Sequence, residues 1–121
     1  MTKILIVDDS PLLRRLLRLY LEYDSDWEVC GEAENGLIAV GKVKDLVPDI
    51  VILDLAMPVM DGLEAARQIA LIAPATITVL FTMQECAGLS AEAKAAGIRD
   101  VVSKSAGADK LLNSLKALLA A

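Results

Sequence analysis

The chain has no histidine, only two cysteines, and few aromatic residues: one tryptophan, two tyrosines and one phenylalanine. Without histidine it cannot use an imidazole as a general acid or base, and it cannot itself carry a phospho-histidine. Cys30 and Cys86 lie far apart in sequence and form no CxxC pair, which leaves too few soft ligands for a zinc site. Two free thiols are the simplest interpretation, and they are typical of a reducing cytoplasm.

Long apolar runs and basic blocks are also missing. The apolar stretches are short and broken by charged residues, and Thr2 and Lys3 lead directly into a strand-like segment. We therefore expect neither a signal peptide nor a membrane span, and we expect a cytoplasmic protein. The formal net charge is -5 with no block rich in lysine and arginine, so we expect no direct binding to nucleic acid.

The residues that are present, 55% of them hydrophobic, follow a regular alternation. Short runs of β-branched residues alternate five times with segments of helical periodicity, and no linker rich in Pro, Gly or Ser separates them. This predicts an α/β fold with a doubly wound, flavodoxin-like parallel sheet of five strands in the order 2-1-3-4-5, covered by five helices on both faces. We expect a single domain, residues 1–121, with no output domain in this chain. The predicted strands are residues 4–7, 27–33, 49–53, 76–81 and 98–103.

The first predicted helix has the clearest start signal, because Ser10 can serve as its N-cap and Pro11 suits its first position. Its predicted apolar stripe comprises Leu12, Leu13, Leu16, Leu17, Tyr20 and Leu21. The opposite face carries Arg14, Arg15, Arg18 and Glu22. The arginines have two interpretations, a solvated helix face or a docking strip for the phospho-donor domain of a kinase.

The remaining helices follow from periodicity and capping residues. The third starts at Asp61, which forms a capping box pattern with Glu64, and the fourth spans about residues 90–96 before Gly97. The second spans about residues 36–46 and is expected to bury Ile38, Ala39, Val43 and Leu46. The fifth carries Leu111, Leu112, Leu115, Leu118 and Leu119 at helical spacing. For the fourth and fifth helices, ordinary core packing and a surface for a partner or a homodimer both stay open.

Three carboxylates follow two strands that the fold places side by side. Asp8 and Asp9 come directly after strand 1, and Asp54 comes directly after strand 3. Ligands of such sheets bind beyond the carboxyl ends of the strands where the strand order reverses. Carboxylates clustered there would raise one another's pKa unless a cation joined them, and Mg²⁺ is the natural candidate because it needs few protein oxygens. Taken alone, each aspartate could equally be a helix cap or a turn residue.

Two further groups follow strands 4 and 5. Thr82 supplies a hydroxyl and Lys104 an ammonium, and both are groups that bind phosphate. Phosphoryl transfer needs an in-line nucleophile, a metal and donors for the remaining charge of the transferred group. Asp54, a metal held by Asp8 and Asp9, and these two donors make up that set.

In these motifs the chain resembles the receiver domain of two-component response regulators over essentially its whole length. The matching motifs are Asp8-Asp9, Asp54 to Pro58, Met60-Asp61-Gly62, Thr82 and Lys104. The resemblance implies that Asp54 is the phospho-acceptor, that Asp9 binds Mg²⁺ directly, and that Asp8 binds it through water. It also implies that the backbone carbonyl of Ala56 is a metal ligand and that Thr82 and Lys104 contact the phosphoryl oxygens.

The resemblance further implies a signalling role. The phosphoryl donor would be a sensor histidine kinase or a histidine phosphotransfer protein, and phosphorylation would change the surface around helix 4, strand 5 and helix 5. The readout would be a downstream protein target or an output domain missing from this chain. Such a protein catalyses only its own phosphorylation and dephosphorylation and is not a turnover enzyme.

The chain departs from the receiver pattern at three positions. Val101 replaces the usual aromatic of strand 5, which leaves the transmission of the switch to Thr82 and helix 4. Ser105 replaces a proline that often follows the lysine in a cis bond, and a cis bond before serine would cost about 3 kcal/mol. Met83 replaces a smaller residue, and we expect it to narrow access to the phosphate pocket.

Three other functions are considered. A pseudo-receiver that works only as a protein-interaction module stays open because of Val101 and Ser105. A flavin electron carrier would need a phosphate loop after strand 1 and aromatic flanks for the ring, where this chain has Asp8-Asp9 and only Trp27. A phosphatase with an aspartyl intermediate would need a second aspartate at the position of Ala56. The sequence therefore favours the phospho-acceptor switch.

Overall fold

Five strands form one parallel sheet in the computed structural model, which describes residues 1–24, 26–83 and 89–120. The sheet order is β2-β1-β3-β4-β5, as the alternation of strands and helices predicted. All neighbouring strands in the sheet pair in parallel, so a crossover segment must connect each strand to the next one in sequence. The strands are β1 (Thr2–Val7), β2 (Trp27–Ala33), β3 (Ile50–Leu53), β4 (Ile77–Thr82) and β5 (Asp100–Ser103).

Helices cover both faces of this sheet, because side chains along each strand point alternately to opposite sides. In β1, Ile4 and Ile6 face a core shared with α1 and α5, whereas Leu5 and Val7 face the core under α2, α3 and α4. Fully apolar central strands are therefore required, and β3 is buried along its whole length. The helices are α1 (Pro11–Glu22), α2 (Gly36–Leu46), α3 (Gly62–Ile72), α4 (Ser90–Ala95) and α5 (Ala108–Ala120).

Capping side chains set the helix starts that lie near the carboxyl edge of the sheet. The Ser10 hydroxyl accepts the N–H of Leu13 at 3.2 Å, and the Asp61 carboxylate accepts the N–H of Glu64 at 2.9 Å. Both caps were predicted from the sequence. The predicted end of α4 is also confirmed within one residue, because Gly97 follows it with a positive φ of 89°.

The predicted apolar stripe of α1 is correct for Leu13, Leu17 and Leu21, which contact the core, and wrong for the other members. Leu17 and Leu21 are buried, but Leu12 and Leu16 lie on the solvent side of the helix. In α2, Val40 is buried where Ile38 was expected, and Ile38 is exposed. The closely spaced leucines of α1 fit several stripes, and only packing against the sheet selects one of them.

Strand and loop boundaries differ from the sequence prediction by one or two residues. The strand β5 begins at Asp100, two residues after the predicted start, while Ile98 is buried in the loop before it. None of the described helices is long and apolar enough to cross a membrane. Cys86 lies outside the described residues, and Cys30 has a free thiol whose pKa is raised by burial.

Candidate metal and phosphoryl site

Two carboxylates lie side by side because they extend adjacent strands. Asp8 follows β1 and Asp54 follows β3, and these strands pair in parallel up to Val7 and Leu53. The ladder continues past the strand ends, since the Asp54 N–H donates to the carbonyl of Val7 at 2.9 Å. The backbone on both strands is therefore held rigidly at the point where the side chains turn toward the edge of the sheet.

Asp8, Asp9 and Asp54 form an acidic cluster at this edge. Each offers one carboxylate oxygen, and these oxygens all lie within 4.8 Å of one another. Asp8 and Asp54 are only 3% and 7% exposed, whereas Asp9 faces solvent. The N–H of Ser10 donates to Asp8 Oδ1 and the N–H of Leu55 donates to Asp54 Oδ1, both at 2.9 Å. One oxygen of each buried carboxylate is thus oriented by the backbone.

Lys104 brings a cation to the same cluster from the end of β5. Its Nζ lies 2.7 Å from Asp8 Oδ2 and 3.4 Å from Asp54 Oδ2. Burial and the nearby charge of Asp8 raise the pKa of Asp54, although Lys104 and the N–H of Leu55 act in the opposite direction. The surroundings of Asp54 therefore compensate the negative charge of its carboxylate only in part.

The acidic cluster fits a hard divalent cation such as Mg²⁺. Three ionised carboxylates set three negative charges against the single positive charge of Lys104, which leaves an excess of two in this cluster. All the donor atoms are oxygens, and Mg²⁺ binds through a few carboxylates while it keeps other positions for water and phosphate. Asp9, the exposed member, leaves the site open toward solvent.

Four other residues named from the sequence lie around this edge. Thr82 ends β4, is almost fully buried, and stands opposite Ser103 in the ladder. Met83, the next residue, is 72% exposed. Val101 is half-buried and packs against the core under α2, α3 and α4, and Ala56 lies exposed in the loop after Asp54. The roles assigned to these residues stay predictions.

The loop between β3 and α3 is held tightly against Asp54. The N–H of Gly62 donates to the carbonyl of Leu55 at 2.8 Å, and a Cβ on Gly62 would lie 2.2 Å from the carbonyl oxygen of Asp54. The Met60 N–H donates to the Pro58 carbonyl at 2.7 Å across Val59, whose φ is 70°. This is the classic γ-turn, a rare and strained conformation for a β-branched residue. The strained turn at Val59 and the close approach at Gly62 thus fix the path of this loop.

The loop after Lys104 avoids the cis bond that a proline would have favoured. The described residues contain no cis peptide bond, and residues 104–106 form a single 3-10 turn. The Ser103 hydroxyl accepts the N–H of Ser105 at 3.2 Å, which caps this turn. Ser105 thus lies in a short turn without a cis bond, and Ser103 caps this turn.

Two arginines of the basic strip on α1 are paired within the domain, whereas the docking role of the strip stays a prediction. The Nε of Arg14 donates to Glu32 Oε1 at 3.0 Å, and the Nε of Arg18 donates to Glu32 Oε2 at 2.9 Å. Burial acts to raise the pKa of Glu32, but the hydrogen bonds and charges of Arg18 and Arg14 outweigh it, so this pKa is lowered. Of the three arginines, only Arg15 is exposed.

The group formed by Arg14, Arg18 and Glu32 also contacts the acidic cluster, through Arg14. The sequence did not reveal this contact. A guanidinium nitrogen of Arg14 donates to the carbonyl oxygen of Asp8 at 2.6 Å. Arg14 therefore connects the carboxylate of Glu32 on β2 to the backbone that carries Asp8. No sequence pattern pairs a helix residue with a strand residue 18 positions away, so only the folded chain shows this contact.

Comparisons with known proteins found a family match, related sequences and solved structures of similar fold. The family model described as response regulator receiver domain matches residues 4–116. The chain is 41% identical to the chemotaxis protein CheY of Listeria monocytogenes over 116 residues, which is 96% of this chain and 97% of that protein. A two-component response regulator of the LuxR family from Aurantimonas has a TM-score of 0.93 at 32% identity, covering 99% of this chain and 86% of that one.

A second solved structure is similar in fold. The CheX-CheY-BeF₃-Mg complex from Borrelia burgdorferi has a TM-score of 0.89 at 24% identity. The match covers 98% of this chain and 89% of that chain. At this identity the likeness concerns the arrangement of strands and helices.

Proposed function

Since this chain belongs to the response regulator receiver domain family, we propose that it is a phospho-acceptor switch in which Asp54 takes the phosphoryl group. The observation that carries this proposal is the cluster of Asp8, Asp9 and Asp54 with Lys104 in reach of two of its carboxylates. A solvated surface aspartate would need none of these neighbours. A nucleophile that must meet a phosphoryl group needs both the metal ligands and the cation.

The transfer step uses a carboxylate oxygen of Asp54 as the nucleophile. This oxygen attacks phosphorus, the bond between phosphorus and the imidazole nitrogen of a phospho-histidine breaks, and the imidazole leaves with the electron pair. Lys104 Nζ, 3.4 Å from Asp54 Oδ2, is within reach of a group bonded to that carboxylate. Thr82 is proposed to donate its hydroxyl to another phosphoryl oxygen. Hydrolysis of the acyl phosphate by water resets the switch.

Mg²⁺ is the cofactor that this site fits best. We assign Asp9 and Asp54 as direct ligands, Asp8 as a ligand through water, and the backbone carbonyl of Ala56 as a further ligand. When bound, the ion would neutralise charge that develops on the transferring phosphoryl oxygens. The CheX-CheY-BeF₃-Mg complex from Borrelia burgdorferi shows that a chain of this fold has been solved in a complex with BeF₃ and Mg²⁺.

The partners follow from the same proposal. The donor is a sensor histidine kinase or a histidine phosphotransfer protein of the cytoplasm, and the readout is a downstream protein or an output domain. Because Val101 is smaller than an aromatic, the signal passes mainly through Thr82 and α4 to the surface around α4, β5 and α5. This domain turns over only its own phosphoryl group.

The alternative is a pseudo-receiver that binds partners without phosphorylation. Val101 favours it, because the half-buried position on β5 lacks the large side chain whose rotation would report the state of Thr82. Such a module would not require the acidic cluster of Asp8, Asp9 and Asp54. The two functions differ in one measurable property, the formation of a covalent or mimetic adduct at Asp54.

The deciding experiment is incubation with acetyl phosphate, or with beryllofluoride, with and without Mg²⁺. Intact mass and NMR should show an adduct that requires Mg²⁺ and disappears in Asp54→Asn. Asp45→Asn is the matched control, because Asp45 is an exposed carboxylate on α2 and should leave the adduct intact. An adduct that persists in Asp54→Asn, or no adduct in the wild type, would refute the proposed acceptor.

A further inference from the structure

The peptide that joins Asp8 to Asp9 lies between two of the carboxylates assigned to the metal. The strand β1 ends at Val7, and the Asp8 N–H still donates to the carbonyl of Ala33 on β2 at 3.0 Å. The carbonyl of Asp8 accepts a hydrogen bond from a side chain, because a guanidinium nitrogen of Arg14 donates to it at 2.6 Å. Since a peptide unit is planar, a bond that fixes this carbonyl also fixes the direction in which the chain enters Asp9.

Arg14 is itself held in place by a carboxylate on the neighbouring strand. Its Nε lies 3.0 Å from Glu32 Oε1, and its side chain is only 16% exposed. Glu32 is anchored in turn, since its other carboxylate oxygen accepts from the Nε of Arg18 at 2.9 Å and its backbone carbonyl accepts from the Nζ of Lys42. The planar guanidinium of Arg14 thus contacts Glu32 with one nitrogen and the Asp8 carbonyl with another. A continuous chain of hydrogen bonds therefore leads from β2 to the acidic cluster.

Asp9 depends on this chain of hydrogen bonds more than the other two carboxylates do. Asp8 and Asp54 are buried, and a backbone N–H orients one oxygen of each, whereas Asp9 is exposed. The direction of the Asp9 carboxylate is therefore set mainly by its backbone. Mg²⁺ demands near-ideal octahedral geometry, so a ligand that enters at a wrong angle weakens binding. Substituting a group that orients a metal ligand typically lowers metal affinity by about 10–100-fold.

The positive charge of Arg14 acts in the opposite direction. A guanidinium beside a cation site repels the ion, although Glu32 neutralises part of this charge. If Arg14 acted only through its charge, removing it would tighten the binding of a divalent cation. If it acts by orienting the Asp8–Asp9 peptide, removing it weakens that binding. The two roles therefore differ in the sign of the change in affinity.

We propose that Arg14 is a positioning residue of the metal site: it holds the Asp8–Asp9 peptide so that the Asp9 carboxylate joins the acidic cluster around one cation. Arg14 acts through this peptide and makes no contact with the ion itself. The inference rests on the proposed function, because it concerns the metal on which the reaction at Asp54 depends.

Titration calorimetry of the whole chain with MgCl₂ tests this role. Arg14→Gln should raise the Kd for Mg²⁺ by roughly tenfold or more, even though it removes a positive charge. Arg14→Lys keeps the charge but lacks the planar fork, so it should also raise the Kd. Arg18→Gln is the matched control, because Arg18 likewise contacts Glu32 through Nε and a backbone carbonyl, that of Val29, through a terminal nitrogen. This control should leave the Kd nearly unchanged.

Two further measurements separate positioning from a general loss of stability. Urea denaturation should show similar losses in Arg14→Gln and Arg18→Gln, because each arginine makes one ion pair with Glu32 and one bond to a backbone carbonyl. In NMR spectra without metal, Arg14→Gln should shift the Asp9 amide and Arg18→Gln should not. An Asp9 amide that stays in place in Arg14→Gln would overturn the positioning role.

The outcomes also separate this role from the phospho-acceptor function. A wild type that binds no Mg²⁺ refutes both. A wild type that binds Mg²⁺ but forms no adduct at Asp54 refutes the phospho-acceptor alone. An Arg14→Gln variant that binds Mg²⁺ as tightly as the wild type, or more tightly, refutes the positioning role alone.

Discussion

At the scale of single residues, the environment of Asp54 works against its own charge. Burial is the largest cause of its raised pKa, and the neighbouring Asp8 carboxylate adds to it. Lys104 reduces this effect without cancelling it. The site thus keeps a buried carboxylate at some cost to the stability of the metal-free fold, as is common where titratable groups are clustered for function.

The raised pKa of Asp54 predicts a pH dependence of stability. The folded chain holds the Asp54 proton more strongly than the unfolded chain, so this residue's contribution to stability is present below its unfolded pKa and is lost as pH rises through its folded pKa. Asp54→Asn should therefore raise the free energy of unfolding at neutral pH without metal and flatten its acid-range dependence. Urea denaturation across the acid to neutral range measures this, with Asp45→Asn as the control; a less stable Asp54→Asn variant at neutral pH would contradict it.

Met83 is the second residue with a predicted effect on the reaction. It follows the buried Thr82 and is largely exposed, so truncating it removes little core packing. We expect Met83→Ala to speed phosphorylation by acetyl phosphate and hydrolysis of the product several-fold, because a smaller side chain widens the entrance to the site. Timed intact-mass spectra measure both rates. Unchanged rates would show that Met83 does not limit access.

At the scale of elements, the start of α3 controls the backbone of Asp54. Gly62 is the first residue of α3, and a Cβ there would meet the Asp54 carbonyl oxygen at 2.2 Å. Real Cβ atoms do not approach backbone so closely, so either the loop or the end of β3 must move. The glycine is thus required by close approach of two backbone segments and not by an unusual φ.

Gly62→Ala should therefore destabilise the domain by about 1–3 kcal/mol and slow adduct formation at Asp54. Urea denaturation and the beryllofluoride titration measure the two effects. Gly41→Ala is the matched control, because nothing lies within 4 Å of a Cβ at this position in the middle of α2. This control should be about 0.5–1 kcal/mol more stable than the wild type. Equal effects of the two substitutions would contradict the close approach at Gly62.

The elements also show where sequence reasoning succeeded and where it failed. Helix starts at Ser10 and Asp61 were predictable, because capping depends on residues within three positions of one another. The buried face of α1 was not, since its leucines form two overlapping stripes of similar hydrophobicity. The sheet and α5 select Leu17 and Leu21 for the core, and that choice involves residues far along the chain.

At the scale of the whole molecule, a net charge of -5 includes the excess negative charge of the acidic cluster. A cation bound at this edge should stabilise the folded chain by mass action, because the unfolded chain does not hold the three carboxylates together. The free energy of unfolding of the whole domain then depends on the metal concentration. Its boundaries within residues 1–121 stay a prediction.

Mg²⁺ should accordingly raise the melting temperature in a saturable manner. At a concentration of 100 times Kd the gain is about 2.7 kcal/mol, which corresponds to several degrees for a domain of this size. Asp9→Asn should reduce the shift strongly, because Asp9 is the exposed member of the cluster and its substitution disturbs little packing. Differential scanning calorimetry, with a chelator as control, measures the shift in melting temperature. An equal shift in wild type and Asp9→Asn would exclude binding at this cluster.

The sequence alone determined the alternation of strands and helices and the strand order. It also determined that Asp8, Asp9, Asp54 and Lys104 lie at the carboxyl edge of the sheet. These follow from local periodicity and from the general geometry of parallel sheets. Only the tertiary structure decided that Lys104 bridges two carboxylates and that Arg14 joins Glu32 to the Asp8 backbone. It also decided that Leu12, Leu16 and Leu19 of α1 remain exposed. Such contacts join residues distant in sequence, and local patterns carry no information about which side chains meet.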